Sequence, residues 1–224
     1  MRQIDNKLTR DKVAAELRRA ILYGSFGANE ELSQDRLAAD LGVSKMPVRE
    51  AIQILIAEGL VSAQPNRTPV VNEVSDAYIR DFFEIRSLLE EEGVVRAIRR
   101  TGVEREHAEL RECQARAEEA IAVGEYDVFN RCNGRIHQII WRMSGNLKLE
   151  QMLSQMWHTM HVDHNAHENA ILSHHDHEKL IESIVNGDEA TARAVIRRHV
   201  VYNCEKIMAI RNSKSQRRYI QSLK

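Results

Sequence analysis

The sequence predicts a mainly α-helical protein in two parts: three helices closed by a β-hairpin, then an all-helical antiparallel bundle. Three observations carry this. All three prolines fall between positions 47 and 69. Strand-like patterning is confined to one short stretch, residues 60–74. Beyond it the chain holds long helix-compatible stretches broken mainly at glycines. The change of texture sets the expected division into residues 1–74 and residues 75–224.

Each element has its own signal. Val13, Leu17, Ile21 and Leu22 recur at helical spacing, and Gly24 and Gly27 follow as stops. Ser33 can cap a short second helix with Leu37, Ala38 and Leu41 on its inner face. Gly42-Val43 makes a tight turn. Ser44 can cap a third helix, with Val48, Ile52 and Leu55 inward and Pro47 in the first turn, where a missing N–H is harmless. Gly59 ends it. Residues 60–63, 65–69 and 70–74 then read as strand, turn and strand. In the second part six helices are expected near 76–100, 104–123, 126–144, 147–162, 169–186 and 188–212. Gly102, Gly124, Gly145-Asn146 and Gly187-Asp188 mark most of the breaks, and the 163–168 break is softer. The basic, polar tail 213–224 reads as frayed.

Composition narrows the class. With 43% hydrophobic and 29% charged residues the balance is globular. No apolar run approaches a membrane span, and residues 1–5 lack a signal-like apolar stretch. Three well-separated cysteines, an odd number, fit a reducing cytoplasm better than a disulfide framework. The net charge is −1, and residues 1–74 hold ten Lys/Arg against ten Asp/Glu. Any nucleic-acid surface must therefore be local, with its cations on one face.

Two short helices joined by a tight turn and followed by a hairpin form a winged helix-turn-helix. Its second helix presents N-terminal side chains to the DNA major groove. Here that face offers Lys45, Arg49 and Gln53, chemically suited to guanine, phosphate and adenine. Ser44 at the helix start suits a phosphate, and Asn66 and Arg67 at the wing tip can reach a neighbouring groove. The alternative is a small helical domain that packs on a protein partner.

The run LGVSKMPVREAI at 41–52, preceded by LSQDRLAAD at 32–40 and followed by EGLV at 58–61 and Pro65-Asn66-Arg67, resembles the GntR family of bacterial regulators. The resemblance covers residues 8–74. It implies a homodimer on a palindromic operator, contacted chiefly by Arg49 and by Ser44, Lys45 and Met46. The family usually has Arg-Thr where Lys45-Met46 stands, so Met46 lacks a hydroxyl. Some members carry arginine at Asp35, where this chain has it next door at Arg36. The wing usually has Gly at Thr68. These departures bear on the operator sequence, not on the fold.

Nine of the ten histidines lie from position 137 onward. Asn133 and His137, four apart, share a helix face. His177 and His199 fall on two later helices that a bundle can bring together, and imidazole suits zinc, nickel, iron or manganese. Residues 76–210 resemble the all-helical FCD effector domain of the FadR-type GntR subfamily. Its motif appears as Asn133…His137, Ser144-Gly145-Asn146, Asp176-His177, and His199 22 positions after His177. The resemblance implies a divalent metal on Asn133, His137, His177 and His199, zinc first, that helps hold an organic acid. Asn133 departs from the commoner aspartate, and its amide oxygen is a neutral, weaker ligand. The resemblance also places Arg86 facing the pocket, suited to a carboxylate; the alternative is a surface ion pair with Glu90. Asn203, one turn past His199, is a further candidate effector contact.

His161, His164 and His167 are expected to be exposed rather than to form a second metal site. Cys132 and Cys204 sit one residue off the ligand faces. A di-metal enzyme needs two Glu-x-x-His motifs, and only 104–107 supplies one. The expected function is therefore a cytoplasmic, non-enzymatic transcription repressor of a metabolic operon, switched by a small carboxylate bound in a metal-containing pocket.

Overall fold

The computed structural model describes residues 6–65, 67–160 and 167–222. They fall into two compact units: one holds the residues up to Ile79 and those from Ile207 onward, the other Arg80–Lys206.

In the first unit, α1 (Asn6–Leu22), α2 (Gln34–Leu41) and α3 (Lys45–Ala57) are followed by β1 (Val61–Ser62) and β2 (Val70–Val71). This is the expected winged helix-turn-helix. The α1 face Val13, Ala14, Leu17, Ile21 and Leu22 is buried, as are Val48, Ala51, Ile52 and Leu55 of α3. Arg18 of α1 donates from Nε and Nη2 to the two carboxylate oxygens of Glu58 at 2.8 and 2.5 Å, a bidentate brace at the end of α3. The Ser33 hydroxyl accepts from the Arg36 N–H as an N-cap, and Gly42 closes α2 in the left-handed region at φ 66°. Ser44 stands at the N-cap of α3, but its hydroxyl makes no capping bond, contrary to the sequence reading.

The hairpin is antiparallel, with Val61 opposite Val71 and Ser62 opposite Val70. It has an arm the sequence reading missed. Glu31 bridges Val70, and Leu32 N–H donates to the Pro69 carbonyl at 2.8 Å. Two residues are too short to show period-two alternation, so no strand signal exists there.

Six helices follow: α4 (Asp76–Arg99), α5 (Glu104–Val123), α6 (Tyr126–Met143), α7 (Leu147–Thr159), α8 (His167–Asn186) and α9 (Glu189–Ser222). α9 continues through the stretch read as a frayed tail. No Pro or Gly interrupts it after Gly187, and Lys, Arg and Gln are good helix formers. In the first unit Arg211 of α9 donates to the Leu22 carbonyl at 2.6 Å and to the Val74 carbonyl, satisfying an orphan acceptor at the end of α1.

In the second unit the core gathers Val94 of α4, Leu110 of α5, Ile136, Ile139, Ile140 and Met143 of α6, Leu180 and Ile184 of α8, and Val195 and Ile196 of α9. α6 leaves a polar face, Asp127, Arg131, Arg135 and Gln138, to solvent and buries most of the rest of its surface, including Asn133 and His137. Trp157 of α7 packs over Gly134, where an added Cβ would stand at ordinary contact distance, 3.5 Å, from the indole.

Candidate functional site

The second unit carries a buried imidazole cluster. His137 from α6, His177 from α8 and His199 from α9 are each at most 2% exposed. Their Nε2 atoms converge: His137 lies 3.4 Å from His199 and 3.4 Å from His177. One ligand atom from each ring falls within 4.8 Å of the others. Asn133 stands one turn before His137, 1% exposed, and its Oδ1 accepts no hydrogen bond. A buried amide oxygen left without a donor carries a desolvation cost of about 1–3 kcal/mol. The four ligand candidates from sequence thus include three that meet and a fourth with an open acceptor.

Behind the imidazoles lie carboxylates. His137 Nδ1 is 3.5 Å from Glu90 Oε2, and His199 Nδ1 is 3.6 Å from Asp176 Oδ2. These separations are longer than hydrogen bonds, and neither Nδ1 has a hydrogen-bond partner; the carboxylates lie on the side of each ring away from the converging Nε2 atoms. Glu90 is held in place in turn. Trp141 Nε1 donates to its Oε2 at 2.7 Å, and Arg86 Nη2 lies 3.3 Å from its Oε1. Burial alone would raise the Glu90 carboxyl, but His137, Arg86 and the Trp141 N–H outweigh it and keep it ionised. Burial pushes His137 down to about 4 against the pull of Glu90, so its ring is neutral near pH 7 and has a lone pair to give. Asp176 also pairs with Arg198; burial opposes its charge, and His199 and Arg198 hold it below the usual carboxylate range.

Arg86 is buried, which excludes the surface ion pair given as the alternative. The i,i+4 pair with Glu90 exists, yet it is not on the surface: the side chains are 1% and 0% exposed. The guanidinium lies 5.0 Å from the Trp157 ring centroid and donates to the Met160 carbonyl at 3.4 Å. Asn203 is buried. Its Nδ2 donates to the His199 carbonyl, and its Oδ1 accepts no hydrogen bond. Glu90 and Asp176 were the residues missed. Both stood in view, one a turn past Arg86 and one beside His177, but a lone acid next to a helical ligand has no periodic signature.

His167 is exposed, as expected, while His161 and His164 lie outside the described residues. Cys132 and Cys204 are buried, reduced, and absent from the imidazole cluster.

In the first unit, Ser44, Lys45, Met46, Arg49 and Gln53 are all exposed at the start and along one side of α3. Two cations already have partners. Lys45 Nζ is 2.8 Å from Asp35 Oδ1, and Arg36 Nε is 3.6 Å from Asp40 Oδ2. Arg67 is exposed and borders a hollow it shares with Ser33, Gln34 and Asp35, between the wing and α2. Asn66 lies outside the described residues.

Comparison with known proteins agrees with this division. The profile of the bacterial regulatory proteins of the gntR family matches residues 9–71, and that of the FCD domain matches residues 81–202. An uncharacterised HTH-type transcriptional regulator of Bacillus subtilis (strain 168), YdhC, is 26% identical over 199 residues, spanning 85% of this chain and 87% of that protein. The gluconate operon transcriptional repressor of the same organism is 34% identical over 79 residues, 35% of this chain and 32% of its own length. The solved structure of E. coli McbR/YncC has the same fold, with a TM-score of 0.64, 22% identity, and coverage of 90% of this chain and 97% of that one. Relatives and fold are those of transcription regulators, not enzymes. The chain belongs to the GntR family of transcriptional regulators, with an FCD domain following its DNA-binding helix-turn-helix.

Proposed function

We propose that this regulator is a repressor of a metabolic operon whose operator affinity is set by a small organic acid bound beside a divalent metal. In this reading residues 1–74 are the DNA-binding domain and residues 75–224 the effector and dimerisation domain. The chain acts in the cytoplasm as a homodimer on a palindromic site. Among the described residues no helix is long and apolar enough to cross a membrane.

The observation that carries the reading is the convergence of the three Nε2 atoms. His137 Nε2 lies 3.4 Å from both His177 Nε2 and His199 Nε2, close enough for the three rings to share one ion. Imidazole donors suit zinc first, with nickel, manganese and iron as alternatives. His137, His177 and His199 would hold the ion, with Asn133 Oδ1 as a neutral fourth donor. The ion supplies a Lewis-acidic positive charge. Arg86 and Asn203 add donors suited to a carboxylate. A cation held by neutral ligands keeps its full charge, which suits an acid as effector. On the DNA side Arg49, Lys45, Arg36, Arg67 and Ser44 would meet phosphates and base edges, together with Met46, Gln53 and Asn66.

Elemental analysis of the purified full chain tests the pocket. The wild type is expected to carry a divalent metal in near-stoichiometric amount, and the His177→Ala/His199→Ala variant to lack it. Equal metal content in the two would refute the site.

A further inference from the structure

Resting on the operator-binding reading above, we propose that Met46 is a base-reading residue that recognises the 5-methyl group of a thymine in the operator. Three features of the reading head lead there. Met46 is the second residue of α3 and is 66% exposed, the one large hydrophobic so exposed among the described residues of the first unit up to residue 77. A thioether chain held in water there loses solvation favourably only when another surface covers it. Met46, Arg49 and Gln53 recur at three- and four-residue spacing, so they form one exposed stripe opposite the buried Val48, Ile52 and Leu55. The neighbouring cation is engaged, because Asp35 holds Lys45 at 2.8 Å.

In the major groove a base edge presents donors, acceptors and, at thymine alone, a methyl group. Met46 has no strong donor or acceptor to offer. Its chemistry fits the methyl, while Arg49 on the next turn meets guanine or phosphate. An unbranched, polarisable chain adapts to the groove wall without a unique rotamer. A thymine preference then follows in each half-site, at the position next to the base contacted from Arg49.

The test uses the full chain and duplexes it selects from a random pool. In a selected site each thymine is replaced in turn by deoxyuridine, which removes the methyl and leaves every hydrogen-bonding group. For the wild type one replacement per half-site is expected to weaken binding about fourfold, the worth of one buried methyl group. A 5-methylcytosine at that position should bind better than cytosine. In Met46→Ala the thymine and deoxyuridine sites should bind alike, while salt dependence stays unchanged because no cation is lost. Selected sites with no thymine preference, or a deoxyuridine penalty that persists in Met46→Ala, would overturn the proposal.

Discussion

At the residue scale the imidazole cluster adjoins charges that are buried together. Arg86 and Glu90 are both shut from solvent, and each neutralises the other. Removing one partner leaves an uncompensated charge, so Arg86→Ala should destabilise the chain by about 3–5 kcal/mol, read as a lower denaturant midpoint at unchanged slope. Replacing both with apolar residues of similar volume should recover much of that loss. A surface ion pair would instead cost under about 1 kcal/mol. For Arg86 the structure removes the surface-pair alternative: the i,i+4 spacing to Glu90 was legible, but spacing alone does not say which face of a helix meets water. The candidates Asn133, His137, His177 and His199 were legible because the resemblance supplied their pattern, and the structure brings the three imidazoles together.

At the element scale the recognition helix is governed by its capping and its neighbours. Gly42 sits at φ 66° between α2 and α3 with open space around it, so Gly42→Ala is strained by backbone alone. It should cost about 1 kcal/mol in thermal or chemical unfolding. Asp35 binds Lys45 from the preceding helix. Asp35→Asn frees that ammonium and removes a negative charge from the DNA face. Non-specific affinity should rise, because the DNA face loses a negative charge and Lys45 meets its phosphate without first giving up Asp35. An unchanged affinity would mean that Lys45 and Asp35 lie off the DNA face. Arg49→Ala should abolish specific operator binding while circular dichroism and melting remain those of the wild type. The helices of both units were legible because apolar period, serines and glycines agreed on their limits. The arm at Glu31 and the length of α9 were not, the first being too short for a pattern and the second because the polar, basic sequence from Ser213 carries no sustained apolar period.

At the scale of the whole molecule, a GntR-type helix-turn-helix and an FCD domain share one chain. Linkage makes the consequence reciprocal: an acid that shifts operator affinity must itself bind differently when operator is present. Metal should stabilise the folded chain, so chelation is expected to lower the melting temperature of the wild type and leave the His177→Ala/His199→Ala variant unmoved.

The most direct measurement is a titration of operator DNA with the full chain in the presence of zinc. It is made with and without an acid chosen by thermal shift from sugar acids, hydroxy acids and dicarboxylates. Operator affinity should change about 5- to 150-fold for the wild type and not at all for the His177→Ala/His199→Ala variant. An affinity that stays constant under every acid that stabilises the wild type, or that shifts equally in both chains, would contradict the account.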